Sequence, residues 1–152
     1  MQDNVERNKA LICRFADEAI NRKNWDAIHD IVAEDFVEHV PFPGQGPGRD
    51  GLRNVIGVFT RAFPDIQWTT HEQIGEGDTV VSRFSWTGTH RGEFLGIPAT
   101  GRRVTVWGVV IDVVRAGKFA ESRIIMDALG LMQQLGVMGQ TLQESAGVAA
   151  AL

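Results

Sequence analysis

The hydrophobic period changes at Pro64, and that change limits the folds open to the chain. Before it, apolar residues recur at helical spacing. Ile12, Phe15, Ala16, Ala19 and Ile20 form one stripe, with Asp3 and Glu6 placed as a capping box at its start. Asn24 is a good N-cap for a shorter helix carrying Trp25, Ile28 and Val32 and ending near residue 35. Leu52, Val55, Ile56, Phe59 and Phe63 make a third stripe, which Pro64 stops. From Ile66 the period is two, and strands read over 66–74, 79–89, 103–115 and 119–126. Gly75-Glu76-Gly77-Asp78 and Ala116-Gly117-Lys118 are short and turn-rich, which predicts two antiparallel hairpins.

Helices followed by long strands specify an α+β fold: a meandering antiparallel sheet with helices over one face. Strands of ten or more residues twist and curl, so the sheet is expected to be curved and the helices to fill its concave side, giving a cone with an interior cavity. Hydrophobic residues at 43% and charged residues at 22% are an ordinary globular mix, so residues 1–138 are read as one domain and 139–152 as a C-terminal tail. The net charge of −4 and the scattered basic residues give no footprint for nucleic acid. Met1 to Arg7 lacks the pattern of a secretory signal and no apolar run reaches membrane-spanning length, so the expectation is a cytoplasmic protein without a membrane partner. Cys13 is the only cysteine and sits in an apolar stripe, which reads as a core side chain.

Among groups able to carry chemistry, Asp127 stands out as a carboxylate between Ile124-Ile125-Met126 and Ala128-Leu129. Desolvated without a cation, it would have a raised pKa suited to proton transfer; equally, it would N-cap a short helix beginning at Ala128. Arg83 and Asp112 interrupt apolar strands and lie either outside as solvated side chains or inside as a compensated pair. His39 leads into the Pro/Gly-rich loop 41–48, and His90 ends a strand, so both suit a ligand-contacting rim. His29, His39, His71 and His90 show no metal-ligand spacing, so no metal is expected. Trp68, Trp86 and Trp107 lie on three different strands and suit either stacking on a flat ligand or a plain core, while Phe42 and Phe59 supply apolar surface. A GxSxG elbow, a GxGxxG turn and a P-loop are all missing, which leaves acid/base groups and pocket shape as the means of any catalysis.

Asp35-Phe36-Val37-Glu38-His39, Phe63-Pro64-Asp65, the run from Gly88 to Arg102, Gly117-Lys118-Phe119, and Asp127 followed by Gln134-Leu135-Gly136 occur in this order. In this the chain resembles the SnoaL-like polyketide cyclases (ester cyclases) of the nuclear-transport-factor-two-like superfamily, over about residues 8 to 136. The resemblance implies a cystatin-like, cone-shaped α+β barrel and a homodimer formed through the open sheet face. It implies that Asp127, ten residues after Gly117, is the catalytic acid/base of an intramolecular aldol closure on a carbonyl-rich, aromatic or polycyclic small molecule. No cofactor is required for such a step. His39, Phe42, Phe59, Arg83, His90, Trp107 and Asp112 are the expected substrate-binding residues. Two positions depart from related patterns. Val110 stands where some cyclases carry a histidine, which moves that role to His90 or His39 or removes it, and Arg83-Phe84 is followed by Ser85 where limonene-epoxide hydrolases continue with an aspartate. A non-catalytic binding module and an epoxide-opening or hydrolytic enzyme are the alternative readings.

Overall fold

The computed structural model describes residues 2–138; the tail expected over 139–152 lies outside the described residues. Helix α1 (Gln2–Phe15) runs on into a π-helical segment, Ala16–Asn21. Helix α2 (Trp25–Ile31) follows Asn24, which occupies the N-cap position without a side-chain cap bond. Next come strand β1 (Val32–Glu38) and helix α3 (Gly48–Ala62), then β2 (Gln67–Glu76), β3 (Thr79–Thr89), β4 (Arg103–Arg115), β5 (Lys118–Met126) and α4 (Ala128–Gln134).

The five strands form one sheet in the order β1-β5-β4-β3-β2. The two hairpins and the β3–β4 pair are antiparallel, as the alternation and turns predict, but β1 joins β5 in parallel, so the sheet is mixed. Helix α2 therefore ends at Ile31, and Val32 adopts an extended backbone that starts the edge strand where helical spacing suggested one further turn.

Register shifts in β2 beside His71 and in β5 beside Ala120 mark bulges, which bend long strands and sharpen their twist. The resulting curve has a concave face against which α1 packs over β2, β3 and β5, while α3 lies along β1. Phe15 of α1 and Phe36 of β1 both meet Phe119 of β5 edge-on, with ring centroids 5.0 Å apart in each pair, so one aromatic cluster ties helix, edge strand and sheet together. Trp68 and Phe84 stack at 3.8 Å across β2 and β3. Gly108 makes room beneath them, since a Cβ there would meet Phe84 Cζ at 2.6 Å and the Ile125 carbonyl oxygen at 2.4 Å.

Candidate active site

Alternation along β3 and β4 decides which side chains meet. On β3, Val80, Ser82, Phe84 and Trp86 are buried and Arg83 is exposed; on β4, Val106, Val110, Asp112 and Val114 are buried while Trp107 and Ile111 face out. The buried face and the helices enclose a cavity of about 350 Å³, the size range of small-molecule sites. Phe42, from the Pro/Gly-rich loop, meets Phe59 of α3 at 5.2 Å, and both line the cavity. Its wall is overwhelmingly apolar, and its few polar side chains include Glu38, Gln45, Ser82, Asp112 and Ser122.

Asp112 is 2% exposed. The ladder fixes it between Val80 on β3 and Ser122 on β5, with buried Val110 and Val114 flanking it on its own strand. Burial pushes its pKa up from 3.8 to about 7, against the opposing effect of a hydrogen bond with Ser122; the charge of Glu38 adds a smaller upward push. Its Oδ1 has no hydrogen-bond partner among the protein atoms. Glu38 is held differently, because its Oε1 accepts from the backbone N–H of Val40 at 3.0 Å and of Ile124 at 3.3 Å. The wall thus carries two carboxyl groups in unlike surroundings, one buried with an unpaired oxygen and one bonded to backbone N–H groups.

A family model described as SnoaL-like polyketide cyclase matches residues 10–135. The chain belongs to the SnoaL-like polyketide cyclase family. No curated protein matches it in sequence. Among solved structures it is similar to TsrD from Streptomyces laurentii, at 30% identity over 87% of this chain and 96% of that one, with a TM-score of 0.79. IdmH from Streptomyces antibioticus, provisionally a polyketide cyclase, shares 31% identity over 86% of this chain and 99% of its own, with a TM-score of 0.74. AclR from Streptomyces galilaeus, provisionally a hydroxylase, shares 29% over 97% and 99%, with a TM-score of 0.78.

Several expected site residues of this SnoaL-like protein stand elsewhere. Asp127 is the N-cap of α4, its Oδ1 accepting from the Gly130 N–H at 2.9 Å; it is half-buried, and the cavity wall passes through its neighbours Met126 and Ala128. Arg83 lies outside because β3 alternates, and it pairs with Glu72 at 2.7 Å across the ladder, so the buried pair with Asp112 does not form. Trp107 is 58% exposed on the outer face for the same reason. His39 is also outside the cavity wall, its Nε2 2.7 Å from Glu121 Oε1. His90 is wholly buried behind Phe63, with ring centroids 5.4 Å apart, and takes no part in the wall. Its Nδ1 accepts from the Thr100 N–H at 3.2 Å, which ties together the ends of the 90–101 loop. Cys13 is exposed rather than core, 3.3 Å from Gln73 Oε1. Glu38 is a wall residue that sequence reading passed over as a site, because its strand was not read and the first residues of that strand were taken for the end of a helix.

The buried Asp112 makes stability depend on pH. Its folded pKa is raised, so the protonated form stabilises the fold fully below the unfolded value, and that contribution is lost as pH rises toward and through about 7. A shift from 3.8 to about 7 corresponds to a ceiling of ~4 kcal/mol. In urea titrations, Asp112→Asn should therefore gain on the native protein between pH 4 and 8, approximately, and the stability difference should level off at either end; a difference independent of pH would show that Asp112 is not buried as described.

Proposed function

We propose that this SnoaL-like protein is a cyclase or isomerase that closes a ring in an apolar, carbonyl-rich small molecule, with Asp112 as its acid/base. The observation that carries this reading is a nearly inaccessible carboxyl group on the wall of an apolar cavity of about 350 Å³. The family resemblance by itself would put the role on Asp127. Its hydrogen bond to the first turn of α4 supports a structural part for that residue.

The chemistry follows from the environment. Near neutral pH a group with a pKa of about 7 is partly ionised and close to the optimum for general acid/base work. The ionised carboxylate takes a proton from a carbon flanked by carbonyls, and the C–H electron pair moves onto oxygen as an enolate. The enolate carbon bonds to a ketone carbon within the same molecule, the ketone's π pair goes to its oxygen, and the carboxylic acid returns the proton to that alkoxide. Atoms balance, the product is an isomer, and the cavity's task is to fold the substrate and exclude water. A hydrolytic reading has one observation in its favour, the second carboxylate Glu38 on the same wall. Its product would gain the mass of one water where ring closure gives an isomer.

The outer sheet face supports the homodimer that the resemblance implies. Ile74, Trp107 and Ile125 expose 67%, 58% and 62% of their surface there, an apolar patch of the kind that marks association. Ile125→Glu should halve the mass in sedimentation equilibrium; an unchanged mass removes this face as the interface. Among the described residues no helix is long and apolar enough to cross a membrane, and the lone exposed thiol suits a reducing cytoplasm.

For the reaction itself, Asp112→Asn should lower turnover of a poly-β-ketone ester at least ~100-fold, as loss of a positioned acid/base does, whereas Asp127→Asn should retain most of it. The native kcat/KM should rise with pH through about 7 as Asp112 ionises. Full turnover by Asp112→Asn would remove Asp112 from the acid/base role, and binding without turnover by the native protein would favour the non-catalytic binding module.

A further inference from the structure

We infer that the Trp86 indole N–H is a specificity-determining contact: a hydrogen-bond donor that holds a carbonyl of the ligand at the end of the cavity away from Asp112. The inference deepens the reading above and rests on it, since it concerns the substrate of the same cavity.

Trp86 is 1% exposed and belongs to the cavity wall, yet its Nε1 has no hydrogen-bond partner among the protein atoms. A buried indole N–H normally finds an acceptor, and leaving one unpaired is costly. The ring is not free to turn toward another. Phe59 meets it edge-on at 5.7 Å and 87°, and Phe63 at 5.0 Å and 61°, so both neighbours present hydrocarbon and neither an acceptor. The cross-strand neighbours of Trp86 are Trp68 on β2 and Val106 on β4, whose side chains offer no oxygen. An occupant of the cavity is the acceptor this donor lacks.

The second unpaired polar atom on the wall is Asp112 Oδ1. Asp112 faces Val80 across the ladder, and Trp86 stands six positions further along β3 than Val80. At about 3.3 Å per residue this is ~20 Å along the strand, shortened across the concave side by the curl of the sheet. Donor and acid/base therefore stand toward opposite ends of one apolar chamber. The ligand class this selects is elongated and flat, apolar along its length, with an acceptor oxygen at one end and the acidic carbon at the other. A group at the Trp86 end that only donates would leave the indole unpaired and bind no better than a hydrocarbon.

The test uses 2-acetylanthracene and its carbonyl-free counterpart 2-ethylanthracene, titrated by their own fluorescence into the full-length protein, Trp86→Phe and Asp112→Asn. The native protein should bind the ketone about tenfold more tightly than the hydrocarbon, the worth of one hydrogen bond in a buried site. Trp86→Phe should abolish that preference, and Asp112→Asn should keep it. The carbonyl stretch of the bound ketone should move to lower frequency in the native protein, a reading that stands even where Trp86→Phe fails to fold. Equal binding of both compounds by the native protein, or an undiminished preference and carbonyl shift in Trp86→Phe, overturns the inference while leaving the cavity reading intact. Failure of the native protein to bind either compound counts against the cavity reading and the inference together.

Discussion

Strands β3 and β4 pair without interruption from Thr79↔Val113 to Thr89↔Arg103, and the site depends on that register. An unbroken antiparallel ladder leaves each side chain only one face of the sheet. Once Phe84 and Trp86 are packed inward, Ser82 and Val80 must follow, and with them Val110 and Asp112 on the facing strand. The same constraint sends Arg83, Trp107 and Ile111 out. A one-residue slip would put the Asp112 carboxyl in water and the Trp107 indole in the core. The bulges that curl the sheet occur in β2 and β5, outside this pair, so curvature is gained without disturbing the register that aims the functional groups.

Burying Asp112 costs stability, and the surrounding structure bears it through packing. Phe15, Phe36 and Phe119 lock helix, edge strand and sheet together, and Phe59, Phe63, Phe94 and Trp86 form a second aromatic cluster. Between these rigid groups lies an apolar chamber in which charge is poorly solvated, so a carboxyl group there holds its proton to near-neutral pH. The environment that makes Asp112 unfavourable for folding is the one that suits it to proton transfer. Asp127 shows the converse. Bonded to the first turn of α4, it does a capping residue's work and helps hold Ala128 and Met132 in the cavity wall.

The order of helices and four of the five strands was legible because a period near 3.6 and a period of two are distinct signals in long segments. Edge strand β1 was not, since Val32 continues the helical spacing of Trp25 and Ile28, and its parallel partner β5 lies far along the chain. The cavity could be expected, but which carboxyl group it buries could not: the sequence pointed to Asp127. Asp127 sits in an apolar run, yet Ile125 and Leu129 are 62% and 51% exposed, so apolar neighbours in sequence did not mean burial in space. For Asp112, valine and isoleucine occupy both odd and even positions from 109 to 114, which erases the alternation that would have named the inner face. Only pairing with β3, where Arg83 and Ser85 alternate with Phe84 and Trp86, settles it.

The account turns on Asp112 carrying a proton near neutral pH. Carbon-13 NMR of protein labelled at the aspartate carboxyl carbons, titrated with pH, tests this most directly. The account predicts one resonance titrating near pH 7 that vanishes in Asp112→Asn. If the resonance lost in Asp112→Asn instead titrates in the ordinary aspartate range, near pH 4, then Asp112 is solvated and ionised at neutral pH, and the chemistry assigned to this cavity is contradicted.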